Sequence, residues 1–151
     1  MSLQISAKAD YALRALLVLA AETTPNPVKA EALARAQQIP VNYLWTILTE
    51  LRSAGIVESL RGNEGGYWLA RPASEVTVAE VVEAVEGPLV NRCSTGRRKP
   101  YAGAARHLGG VWEAAQTGLY DLLASLTLAD IRDGAVAPAP EKRLDGRLLS
   151  P

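Results

Sequence analysis

The chain is poor in the residues that do chemistry. Its 151 residues include one cysteine, Cys93, and one histidine, His107. A lone cysteine excludes an intrachain disulfide framework and fits a reducing compartment, so a cytoplasmic location is expected. One thiol, one imidazole and scattered carboxylates assemble no catalytic triad and no metal-ligand spacing. GNEGG (62–66) is no phosphate cradle, because a strand-like run follows it where a helix would have to start. Neither an enzyme nor a cofactor is therefore expected. Long apolar runs are missing too. LRALLVLAA (13–21) is short, contains Arg14 and lacks the flanks of a signal peptide, so no membrane association is expected. The net charge is zero, so bulk charge argues neither for nor against a nucleic-acid partner and its distribution must decide. The length suits one compact domain, alone or with an appendage, and no internal repeat is present.

What the chain does have is helical periodicity. Ser6 is placed to cap a first helix reaching about Ala21, with Ala9, Leu13, Leu16, Leu17 and Ala20 on one face. TTPNP (23–27) is a turn rich in helix breakers. A second helix fits Lys29–Gln37. In the third, Leu44, Ile47, Leu48 and Leu51 form an i, i+3, i+4, i+7 stripe, and Gly55 stands where a left-handed C-terminal cap belongs. IVESL (56–60) and YWLA (67–70) read as strands flanking the glycine-rich RGNEGG. TVAE (77–80) is a capping box, and the valines after it continue a helix that Gly87-Pro88 ends. Residues 91–107 show no period. Arg92, Arg97, Arg98, Lys99 and Arg106 lie in that stretch with no acidic residue. A solvated loop is the preferred reading there, over a phosphate-facing loop or an anion pocket. Leu108, Trp112, Ala115, Leu119, Leu122 and Leu126 then alternate steps of four and three, a coiled-coil-like seam on a helix over about 107–126. Thr127 starts a last short turn, and from Gly134 the composition is that of a tail.

Helix, short link, helix and glycine-tipped hairpin, in that order, spell a winged helix-turn-helix. Stepping 100° per residue along the third helix turns Asn42, Thr46 and Thr49 away from the stripe, with Tyr43 and Trp45 flanking them. Asn pairs bidentately with adenine, Thr touches a thymine methyl or bonds a base, and Tyr reaches phosphate. The bland reading of this face is ordinary solvation, but it lacks the Lys/Glu pairs of a merely solvated helix. For Trp45, packing at the edge of the core is an equal alternative to a DNA contact. Arg61 opens the hairpin tip and Asn63 shares it. A guanidinium there suits a narrow minor groove, and the alternative is a surface arginine beside Glu64.

The segments KADYALRALLVLA, IPVNYLWTILTELRSAGIV, RGNEGGYWLARP, VTVAEVVEAVEGP and SLTLADI give the chain, over about residues 4–132, a resemblance to the Rrf-two family of bacterial winged-helix regulators. That family includes the iron–sulfur cluster regulator and the nitric-oxide-sensitive repressor. The resemblance implies a dimer whose long helices cross, two wings on a palindromic site, contacts from Asn42, Tyr43 and position 45, and Arg61 in the minor groove. The sequence departs from the pattern twice. Many members carry an acidic residue where Trp45 stands. Sensing members hold a cluster with three cysteines between the two later helices, whereas here only Cys93 and His107 occupy comparable places. Two donors fall short of the usual four ligands, so no cluster is expected. Cys93 remains a possible sensor by thiol oxidation, with Arg92 favouring the thiolate, against an inert loop cysteine.

The expected architecture is mainly α with a small β-hairpin: a winged helix-turn-helix over 1–88, a basic loop over 89–106, a dimerisation helix over 107–133 and a tail over 134–151. The expected function is a homodimeric, sequence-specific regulator of transcription, a repressor, whose recognition helix enters the major groove of a palindromic double-stranded operator. The alternative is a protein-interaction module of the same fold that has lost DNA binding.

Overall fold

The computed structural model of the chain describes residues 5–24, 26–89 and 101–136. Helix α1 (Ala7–Ala21) starts where Ser6 accepts a hydrogen bond from the Ala9 N–H at 3.1 Å. Helix α2 (Ala30–Gln37) begins one residue later than expected, because Lys29 is extended and serves as its cap. It ends on Gln38, which takes a left-handed conformation with φ 54°. Helix α3 (Val41–Ser53) follows directly. Its end is a full Schellman motif: Gly55, at φ 74°, donates to the Arg52 carbonyl, and Ile56 donates to that of Leu51, each at 3.0 Å. The chain thereby reverses into the hairpin with the Leu51 and Arg52 carbonyls both satisfied.

Strands β1 (Val57–Leu60) and β2 (Gly66–Leu69) pair antiparallel, with Glu58 opposite Trp68. The boundaries shift by a residue from the expected 56–60 and 67–70, although Ala70 still donates to the Ile56 carbonyl at 3.0 Å. A short 3₁₀ turn, Ala73–Glu75, leads into helix α4 (Val78–Glu86). The Thr77–Glu80 capping box closes in both directions. Helix α5 (Leu108–Ser125) and helix α6 (Leu128–Arg132) complete the described chain. The last turn expected at Thr127 is thus a helical segment with its own capping box to Asp130.

One core joins these elements. Leu16, Leu33, Leu44, Ile47, Leu48, Leu51, Ile56, Val57, Val76 and Val81 are fully buried in it. Leu128 joins them from the far end of the sequence, also fully buried. It is delivered there by a bridge between Thr77 and Thr127, by Val78 donating to Leu126 and by Leu128 donating to Val76. Arg132 adds a 3.0 Å bond to the Ala20 carbonyl, tying α6 to the end of α1. Helix α5 enters this core nowhere: none of its residues is buried. Among the described residues no helix is long and apolar enough to cross a membrane. Cys93, the basic residues 92–99 and the tail beyond residue 136 lie outside the described residues.

Candidate nucleic-acid interface

The stripe Leu44, Ile47, Leu48 and Leu51 fixes the rotation of α3, because all four are fully buried. Asn42, Tyr43, Trp45, Thr46 and Thr49 are consequently all exposed, as the 100° step requires. Trp45 stands 45 % exposed, which leaves a large apolar surface open to an outside contact. The helix is held at its inner edge by an ion pair: Lys8 on α1 lies 2.7 Å from both carboxylate oxygens of Glu50. That pair also neutralises the one acidic residue on α3. Tyr43 meets Tyr11 edge to face at 5.8 Å, and the Arg14 guanidinium sits over the Tyr11 ring at 5.6 Å. The Tyr43 ring is therefore braced from α1 and not free to sweep. Thr49 donates its hydroxyl proton back to the Trp45 carbonyl at 2.8 Å. It keeps a methyl group and an acceptor lone pair for any outside contact.

The hairpin tip carries Arg61, Gly62, Asn63 and Glu64, all exposed. Among the described residues no ion pair joins Arg61 to Glu64, and Arg61 stands exposed on the tip. Arg61 is the only cation between Arg52 and Arg71. Arg71 itself is anchored, donating to Glu80 at 2.9 Å and to the Glu75 carbonyl at 3.2 Å. Burial raises the Glu80 carboxyl's pKa, but the Thr77 backbone bond and the Arg71 bonds more than offset this and hold it below 4.5. On the strands, Trp68 donates its indole N–H across the register to Glu58 at 3.1 Å.

The glycines behind the tip do more than thin it. Gly65 and Gly66 are buried. A Cβ on Gly66 would lie 2.7 Å from the Val28 backbone, and one on Gly65 would lie 2.1 Å from the Leu60 carbonyl oxygen. At Gly65 the reason is the tight turn of the hairpin itself, and at Gly66 it is a contact that sequence reading missed. Val28 pairs with Tyr67 as an isolated bridge, with bonds of 2.9 and 2.8 Å. The wing is thereby seated on the segment leading into α2, and its direction is fixed relative to the helix-turn-helix. Arg52, exposed in the last turn of α3, is a further cation on this side that the helical reading passed over. Its signal was its place one residue beyond the core stripe.

The six seam residues of α5 divide. Leu108, Trp112, Ala115 and Leu122 are exposed, whereas Leu119 and Leu126 are half-buried. Leu126 is the C-cap and not part of the helix. Val111 is exposed as well and widens the apolar face beside Leu122, whereas Tyr120, also exposed, lies on the opposite side of the helix from Val111 by the 100° step. Tyr101 packs against this helix from outside, accepting a 3.1 Å bond from the Trp112 indole. His107 caps the start of α5 and is exposed.

The sequence profile of the Rrf2 family, described as an iron-dependent transcriptional regulator, matches residues 5–134. The helix-turn-helix-type regulator Rv1287 of Mycobacterium tuberculosis is 42 % identical over 135 residues, covering 89 % of this chain and 84 % of its own length. The regulator IscR of Cereibacter sphaeroides is 36 % identical over 149 residues, covering 91 % and 92 %. Among solved structures, CymR, the global cysteine regulator of B. subtilis, superposes with a TM-score of 0.75 at 27 % identity, covering 88 % of this chain and 98 % of its own. IscR of T. potens gives 0.71 at 30 % identity, covering 92 % and 96 %. For the iron in the family's description, this chain's donor set is short. It offers one thiol in its whole length, and no group of three or more His, Cys, Asp or Glu side chains forms a metal cage among the described residues. Thiolate ligation of a cluster does not fit that inventory.

Proposed function

The chain belongs to the Rrf2 family of helix-turn-helix transcriptional regulators, and from that premise we propose that it acts as a homodimer that represses transcription by occupying a palindromic operator. In this reading α3 enters the major groove with Asn42, Trp45 and Thr46 toward base edges and Tyr43 toward the backbone. Arg61 and Asn63 at the wing tip lie in the adjacent minor groove. The two-fold axis runs between paired α5 helices, whose separation sets the spacing of half-sites. Leu108, Trp112, Ala115 and Leu122, together with Val111, form the face that the second chain covers.

The observation that carries the reading is which surfaces the chain leaves uncovered. The outer face of α3 is exposed while its inner face is fully buried, and α5 shows water an apolar face that the described chain covers only in part. An exposed apolar patch of this kind marks an association surface. In this reading repression follows from occupancy of the operator. The test is selection of duplexes from a random pool, followed by a promoter reporter carrying the recovered sequence. The expected result is a palindrome whose presence lowers expression when the protein is made. Recovery of no preferred sequence, with binding to a protein partner instead, supports the interaction-module alternative.

A further inference from the structure

We propose that the base-reading surface selects thymine methyl groups, with Trp45 as the specificity-determining residue, so that each operator half-site places A·T pairs beneath the first turns of α3. This rests on the DNA-binding reading above. The argument is an inventory of what the exposed face can do. Guanine is read by Arg or Lys, cytosine by a carboxylate, adenine by Asn or Gln, and thymine by apolar contact with its methyl group. The exposed residues Asn42, Tyr43, Trp45, Thr46 and Thr49 include no Arg, Lys, Asp, Glu or Gln. The acid of this helix, Glu50, is held by Lys8 at 2.7 Å. Its cation, Arg52, lies in the last turn, whereas recognition helices present their N-terminal residues to the bases.

What remains is one group suited to adenine, Asn42, and a set suited to thymine. Trp45 supplies the largest apolar surface of that set, 45 % exposed. Thr49 has spent its hydroxyl proton on the Trp45 carbonyl at 2.8 Å, which leaves it no donor for a guanine or thymine oxygen but keeps its methyl, a contact for the thymine methyl, beside an acceptor lone pair. The Trp45 indole N–H is a donor only and can donate to thymine O4 or to guanine O6 alike, so the methyl group decides between them. The wing adds a bias of the same sign, because an arginine in the minor groove favours the narrow groove of A·T-rich sequence.

The experiment uses the full chain and the palindrome recovered by selection, with each thymine replaced in turn by uracil, which lacks only the C5 methyl. Wild type is expected to bind about fourfold more weakly for each covered methyl, the worth of burying one such group. Trp45→Ala is expected to bind thymine and uracil duplexes equally at that position, and Trp45→Arg to shift selection there toward guanine. G·C pairs at the positions protected by α3, or equal affinity of wild type for thymine and uracil throughout, would overturn the proposal while leaving DNA binding intact. Recovery of no palindrome at all would overturn the DNA-binding reading and this inference with it.

Discussion

Helices α3 and α5 are both amphipathic, but they solve opposite problems. In α3 the chain's own core takes the apolar stripe completely, leaving a face of Asn, Thr, Tyr and Trp with nothing beneath it. In α5 the chain takes almost nothing: 18 residues with no buried side chain, although Leu, Val, Trp and Tyr run along it. Helix α3 is therefore stable for intramolecular reasons and free to be specific on its outside. Helix α5 is anchored beyond its C-terminal end, through Leu126 and Thr127 to α4 and through Leu128 to the core. Its exposed residues are the ones the proposed dimer would cover. The same periodicity in sequence produced both, and only packing against the rest of the chain separates them.

The comparison breaks most visibly if α5 is made polar. Replacing Val111 and Leu122, each 55 % exposed, by Asp should yield a folded monomer. It should lose operator affinity by about a hundredfold to ten-thousandfold, because two tethered half-site contacts become one. Sedimentation velocity together with a binding titration checks both parts. Leu119, the centre of the expected seam, is the poorer probe, since it is half-buried within its own chain. The converse change lies in α3. Leu48→Ala should cost about 2–5 kcal/mol of folding stability, measured by denaturant unfolding, because a fully buried side chain leaves a cavity. An equal cost for Leu122→Ala in a dilute, monomeric sample would erase the distinction between the two helices.

Smaller effects sharpen the picture. Arg61→Ala should weaken DNA binding and lower the salt slope by about one unit, whereas Asn42→Ala should relax base preference and leave that slope nearly intact. Salt titrations on operator and scrambled duplex read both. At the base of the wing, Thr77→Ala should cost about 1 kcal/mol through loss of the cap. The Glu80 carboxyl bonded there has its pKa lowered below 4.5, so its interactions stabilise the fold above that value and are lost as pH falls through the lowered one. Glu80→Gln should therefore flatten the acid limb of a thermal-melting profile and leave the neutral plateau lower.

Much of this was legible in the sequence for a physical reason: local signals report local geometry. Ser6, the Thr77 capping box and Gly55 each announced a helix end that the structure shows, and the stripe on α3 set its rotation. The outward turn of Asn42, Thr46 and Thr49 came with it. Contacts distant in sequence were not legible. The Val28–Tyr67 bridge has no local signature, and so Gly66 reads as loop permissiveness and not as close approach. Gln38 is left-handed without being glycine. Lys8 and Glu50 are 42 residues apart, and nothing in either neighbourhood announces the pair. On α5 the heptad steps located an apolar face but could not divide it between chain and partner. That division depends on where α4 lies.

The most direct test of the account is the stoichiometry of the complex, by sedimentation of the chain with its selected palindrome at low and moderate salt. Two chains per duplex are expected, with affinity falling steeply as salt rises and a scrambled duplex left far behind. One chain per duplex at saturation, or equal affinity for the scrambled sequence, would contradict it.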